Sequence, residues 1–196
     1  MINFINNQKN TFLAITAMVV GVIFIDIHGL IVKYLGGEYS TIQLALFRNT
    51  FAIIPLILLL IYNKESTDLF KNLSKKFILF CFIRGSCFLA INILYYIAIN
   101  NMEFATASTL TFSSTFFIVI LSIFFLGDKV GIYRWSAVII GFVGVVMIMR
   151  PNSSIFSYYS ILPILVAFLW AVQVIILKFI PDNFSTGKIQ FYSLFS

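Results

Sequence analysis

Residues 11–32 read TFLAITAMVVGVIFIDIHGLIV. Crossing about 30 Å of hydrocarbon takes about 20 mostly apolar residues in a helix that rises about 1.5 Å per residue. The stretch meets that length with one acid, Asp26, and one histidine, His28, set inside it. A secretory signal peptide would show an apolar run of about 7 to 15 residues and then a small-residue cleavage site. This run is longer and shows no such site, so it reads as a span retained in the membrane. Five further segments share its character: 41–62, 77–99, 104–126, 133–149 and 158–180. The expected fold is all-α, a polytopic membrane helix bundle.

The composition agrees. Hydrophobic residues make up 61% and charged residues 10%, with a mean hydropathy of +1.02; an ordinary soluble domain carries about 25% charged residues. A net charge of +6 would suggest nucleic acid in a soluble protein. Here the basic residues sit in short loops, so the charge reports topology and no nucleic-acid partner is expected. Lys9, the lysines at 64, 71, 75 and 76, Lys129, Arg134, Lys178 and Lys188 put nine basic residues on one side. Lys33 and Arg150 put two on the other, and Arg48 and Arg84 lie inside spans. That bias predicts an inner (plasma) membrane protein with a cytoplasmic N-terminus and the lipid bilayer as its surroundings. Cys81 and Cys87 fall on different faces of one helix and read as packing residues.

A repeat organises the chain. Ile31-Val32-Lys33-Tyr34-Leu35, then Tyr39-Ser40-Thr41, recurs as Ile176-Leu177-Lys178-Phe179-Ile180, then Phe184-Ser185-Thr186, at a constant offset of 145. An odd number of spans separates the copies, so they face opposite ways across the membrane. Inverted repeats are a plan of secondary transporters, which bind substrate near the midplane between halves. Residues 1–150 are then a first five-span repeat, bounded by the turn Arg150-Pro151-Asn152-Ser153-Ser154, and 151–196 an incomplete second one. Completing that copy would take roughly a hundred more residues. The expectation is a carrier cut short at its C-terminal side, completed by a homodimer partner or by another chain, or else a non-transporting remnant or interaction subunit.

Several motifs resemble the drug/metabolite transporter superfamily, in particular its ten-span EamA type. Gln43-Leu-Ala-Leu-Phe-Arg48 looks like that family's second span with its buried arginine, and Ile83-Arg84-Gly85 like its Arg-Gly pair. Phe124-Phe-Leu-Gly127-Asp128-Lys129, Arg134-Trp135 and Gly141-Phe-Val-Gly144-Val-Val, ending at Arg150-Pro151, carry the most specific likeness. Two positions depart from the pattern: Asp128 stands where the family usually has glutamate, and Thr115 where it often has a proline. The second leaves the kink of span four open. Lys33-Tyr34-Leu35-Gly36, Phe47-Arg48 and the stretch from span four to five look most like S-adenosylmethionine uptake carriers. The resemblance implies a secondary carrier of a small metabolite, such as S-adenosylmethionine or a similar nucleoside-like or amino-acid-like compound.

A charge at the bilayer centre costs about 2.5 to 3.5 kcal/mol even on insertion scales, so intramembrane ionisable groups are functional candidates. Asp26 and Arg48 lie at similar depth. They read either as a structural ion pair or as a gate and substrate anchor, Asp26 for a cationic group and Arg48 for a carboxylate. Arg84 either snorkels to the headgroups or heads a stripe with Phe88, Asn92 and Tyr96, spaced i,i+4 as a cavity wall would be. Trp170 sits mid-span with Gln173 nearly one turn on, suited to stacking on a planar or cationic group or to packing. Span four carries seven Ser and Thr residues within 106–115, read mostly as close packing, and Gly141 and Gly144 are read as sites of helix contact. His28 reads as interfacial or as a proton-coupling group. No Walker loop, paired catalytic carboxylates, metal-ligand cluster or activated nucleophile appears, so the sequence predicts no enzyme, cofactor or metal.

Overall fold

Lipid offers no hydrogen bonds to a bare backbone, so apolar segments of this length fold as helices whose amides bond within the segment. The computed structural model describes residues 2–63, 69, 73–127, 131–149, 158–181 and 184–195. In order these form α1 (Ile2–Leu35), α2 (Thr41–Tyr62), α3 (Lys75–Asn101), α4 (Phe104–Thr111), α5 (Ser114–Leu126), α6 (Ile132–Met149), a 3-10 turn (Tyr158–Ser160), α7 (Ile161–Phe179) and α8 (Thr186–Leu194). Five segments are long and apolar enough to cross a membrane: Thr11–Leu35, Thr41–Tyr62, Lys75–Asn101, Phe104–Leu126 and Tyr158–Phe179. The fifth expected span, 133–149, coincides with α6, where the described apolar run, Trp135–Met147, is shorter. The all-α polytopic bundle is the observed fold. The loop lysines at 64 and 71, Asp128, Lys129 and the turn at 150–154 lie outside the described residues, as does the side chain of Arg134.

The helix ends follow from local chemistry. Ser40 caps α2 by accepting the Gln43 amide at 3.3 Å, while Gln43 Oε1 accepts the Ser40 amide at 3.1 Å. This reciprocal box satisfies two amides that a helix start otherwise leaves open. Ser185 caps α8 in the same way, accepting the Lys188 amide at 3.2 Å. The two serines have almost the same backbone angles, φ −67° and ψ 149° at Ser40, φ −67° and ψ 151° at Ser185. In both cases the preceding helix places a lysine, Lys33 or Lys178, in its last turn, where a cation suits the helix dipole.

Span four is not one helix. It breaks between α4 and α5, where the amides of Phe112, Ser113 and Thr115 donate to carbonyls three residues back, Thr109, Leu110 and Phe112, at 3.1–3.2 Å. The hydroxyls of Thr111 and Ser113 donate to the carbonyls of Ser108 and Leu110 at 2.6 and 2.7 Å. Side-chain bonds of this type compete with the regular ladder and bend helices. The kink left open by the missing proline is therefore present without one.

The bundle is organised on α3 and α7, which pack along each other, with α8 and α2 against α3 and α5 and α4 against α7. Buried residues make up 44% of the apolar window of the Tyr158–Phe179 span and 11% of that of α1, which places α1 at the rim. Val32, Leu44, Ala45, Tyr96, Ile99 and Ala107 form a buried cluster that joins α1 to α4. At Gly29 the chain approaches the Phe104 ring so closely that an added Cβ would lie 2.7 Å from Phe104 Cε2. The glycines of α6 are different. Among the described residues nothing lies within 4 Å of a Cβ at Gly141 or Gly144, which corrects their reading as close-contact positions. The α5–α6 contact runs instead through stacked Phe116 and Phe142, 5.2 Å between ring centroids. Cys81 is buried among Phe77 and Ile180 and Cys87 is half-buried, and neither forms a disulfide.

Candidate functional site

The i,i+4 stripe on α3 faces inward: Arg84 and Phe88 are half-buried and Asn92 and Tyr96 are buried. From α2, the Arg48 guanidinium lies over the Phe88 ring, 4.9 Å from its centroid. From α1, His28 Nε2 lies 3.5 Å from the Tyr96 hydroxyl. Both His28 and Tyr96 are within electrostatic reach of Arg48. Three helices thus bring an arginine, a histidine, a tyrosine and a phenylalanine to one locus. Asn92 Nδ2 donates to the Phe88 carbonyl one turn back, at 2.7 Å, so its amide is held by its own helix.

Arg84 sits where α3 meets α7 and α8. Its Nη1 donates to Gln190 Oε1 at 3.2 Å, and Gln173 Nε2 from α7 donates to the Arg84 carbonyl at 3.1 Å. Its Nε is buried and has no hydrogen-bond partner among the described residues. Arg84 therefore points into the helix junction rather than out to the headgroups.

Two residues fall elsewhere. The inward stripe of α1 is His28, Gly29 and Val32, and Asp26 lies off it, exposed. Among the described residues no carboxylate is within ion-pair distance of Arg48 or Arg84, so the expected Asp26–Arg48 pair is not formed. Equal depth fixed the height of the two charges but not the direction each faces. Trp170 is 45% exposed on the outer side of α7, while Gln173 is buried. The span-four hydroxyls bond mostly to their own helix, as Thr109 does to Ala105 at 2.7 Å; Ser108 instead meets the Tyr95 hydroxyl of α3 at 3.1 Å.

A cavity of about 300 Å³ opens beside this cluster, lined by Asn49 of α2, Gly85, Ser86, Phe88 and Leu89 of α3 and Ser193 of α8. Asn49 Oδ1 is buried and has no hydrogen-bond partner among the described residues. Reading the sequence singled out neither Asn49 nor Gln190. The signal for Asn49 was present, a second polar residue beside Arg48 in the middle of an apolar run. Among the described residues no group of three His, Cys, Asp or Glu side chains is placed to hold a metal ion.

Membrane-crossing helices that gather arginines and side-chain amides between them define a multi-pass membrane protein with a polar interior. Residues 12–150 match the EamA-like transporter family, and the chain belongs to that family. It is 40% identical over 63 residues to a riboflavin transporter of Rhizobium johnstonii, covering 32% of this chain and 21% of that protein. A riboflavin transporter of Vibrio cholerae is 35% identical over 78 residues, 40% of this chain and 26% of that protein. An S-adenosylmethionine uptake transporter of Rickettsia bellii is 26% identical over 161 residues, 82% of this chain and 54% of that protein. The chain thus spans about half the length of the S-adenosylmethionine carriers it matches. No solved structure gives a significant match.

Proposed function

We propose that this chain serves as a secondary carrier of a small metabolite built on a planar heterocycle, working by alternating access. The carrying observation is the pair of half-buried arginines, Arg48 and Arg84, that no carboxylate among the described residues neutralises. An intramembrane cation costs about 2.5–3.5 kcal/mol, and a desolvated cation–π contact returns about 2 kcal/mol at best. A charge left uncompensated inside the protein suits a transient anionic partner, such as a substrate carboxylate. Membership of a transporter family supports transport over catalysis. The substrates named for the relatives, riboflavin and S-adenosylmethionine, share a planar heterocycle joined to a hydroxylated carbon chain or sugar, which supports the class.

In this reading Arg48 and Arg84 anchor the anionic end of the substrate, Tyr96, Asn92 and Gln173 shape the polar path, and Asp26 and Trp170 act in a state in which α1 and α7 are covered. The matched serine caps and terminal lysines support two repeat units, 1–150 and the start of a second at 151–196, of opposite orientation. Basic-residue bias supports an inner-membrane location with a cytoplasmic N-terminus. The test is uptake of labelled riboflavin and S-adenosylmethionine into proteoliposomes holding the intact protein. Accumulation of at least one of them above protein-free vesicles is expected, with uptake of the carboxylate-bearing S-adenosylmethionine lowered at least tenfold by Arg48→Gln. Failure of membrane-inserted protein to move either compound would overturn the proposal.

A further inference from the structure

The cavity between α2, α3 and α8 combines three features that together point to one chemistry. Its wall is mainly apolar, with Leu89 and the half-buried ring of Phe88. Arg48, by lying over Phe88, fixes that ring in place. The third feature is Asn49 Oδ1, an amide oxygen that is buried, belongs to a residue lining the cavity, and accepts no hydrogen bond from the described residues. A volume of about 300 Å³ is at the lower end for small-molecule sites, about 300–1,000 Å³, and suits a single ring system rather than a whole large metabolite.

A buried acceptor without a donor is disfavoured unless a ligand supplies the donor. An apolar slot with one aromatic wall favours a flat ring over a flexible polar chain. We infer that Asn49 reads the edge of the substrate's heterocycle, accepting a ring or exocyclic N–H while the ring packs against Phe88. The inference rests on the heterocycle class proposed above and deepens it. Asn49 becomes a specificity-determining residue, and the hydrogen-bonding edge, rather than ring size, becomes the feature selected. Heterocycles that present only acceptors or methylated nitrogens at that edge leave Asn49 Oδ1 unpaired and are rejected. A site that hydrogen-bonds a polar substrate group discriminates strongly against the analogue lacking it, because its own polar atom is then stranded.

The experiment is equilibrium binding to the purified intact protein in detergent, with riboflavin and S-adenosylmethionine as probes. Each is compared with an analogue methylated at the heterocycle's edge nitrogen so that the N–H is lost. The wild type is expected to bind at least one parent probe and to bind its methylated analogue at least about tenfold more weakly. Asn49→Leu is expected to bind the parent and the analogue alike. Equal binding of parent and analogue by the wild type would overturn the role of Asn49 while leaving the carrier reading intact. So would a discrimination that survives in Asn49→Leu. Binding of neither parent probe would overturn the heterocycle class and this inference with it. The wild-type comparison decides even if the variant does not fold.

Discussion

Restoring a proline at Thr115 tests the break in span four. A proline inside a helix removes one ladder bond, clashes with the carbonyl four residues back and costs about 3 kcal/mol or more. Thr115, however, is the second residue of α5, and its amide donates to Phe112, three residues back, at 3.2 Å. A proline there forfeits one first-turn hydrogen bond, worth about 0.5–1.5 kcal/mol. It also restricts the backbone of Ser114, since the residue before a proline disfavours the helical region. Thr115→Pro should therefore cost about 1–2 kcal/mol. Val119→Pro, four residues further into α5, should cost about 3 kcal/mol or more. Reversible unfolding of the purified variants in mixed detergent, followed by intrinsic fluorescence, measures both. Equal losses at the two positions would show an unbroken helix through Thr115 and refute the account of the break.

Other substitutions probe the contacts that hold the polar locus in place. Gly29→Ala pushes a Cβ to 2.7 Å from Phe104 Cε2. Such overpacking costs about 1–3 kcal/mol, and the loss should disappear in a Phe104→Ala background, checked by the same unfolding assay. A double-mutant cycle with Arg48→Gln and Phe88→Leu should give a coupling of about 0.5–2 kcal/mol; a coupling of zero would mean that the guanidinium rests elsewhere. Ser40→Ala removes the cap at the start of α2 and should lower stability by about 0.5–2 kcal/mol, read as a fall in unfolding midpoint.

Features set by local pattern were legible in the sequence. Apolar length marks the spans, and the stripe from Arg84 to Tyr96 does face inward. What depended on the rotation of one helix about its axis was not. Asp26 and Arg48 share a depth, yet the inward face of α1 is set by His28, Gly29 and Val32, one residue type of which is a glycine chosen for closeness to Phe104. Trp170 and Gln173 differ likewise, one facing out and one in. Gly141 and Gly144 lack a neighbour because α6 meets α5 through Phe142. The bend of span four escaped a proline-based reading because hydroxyl groups supply it.

Arg84 allows stability and function to be separated. Among the described residues its side chain makes one hydrogen bond, from the charged guanidinium to the Gln190 amide oxygen, while the bond from Gln173 goes to its backbone carbonyl. Arg84→Gln removes the charge and the guanidinium that reaches Gln190, and its shorter amide ends about where Nε stood. Losing one charge-assisted hydrogen bond costs about 1.5–3 kcal/mol and removing an intramembrane cation relieves about 2.5–3.5 kcal/mol, so folding stability should stay within about 1–2 kcal/mol. If Arg84 anchors a substrate carboxylate, binding of S-adenosylmethionine should fall at least about tenfold, because truncating a charge-assisted bond costs about 1.5–3 kcal/mol. Riboflavin, which has no carboxylate, should bind Arg84→Gln as it binds the wild type. Thermal unfolding and equilibrium binding on one preparation provide both numbers. A large fall in stability with no selective loss of the carboxylate-bearing probe would make Arg84 a packing residue of the α3–α8 junction and leave Arg48 as the sole anchor.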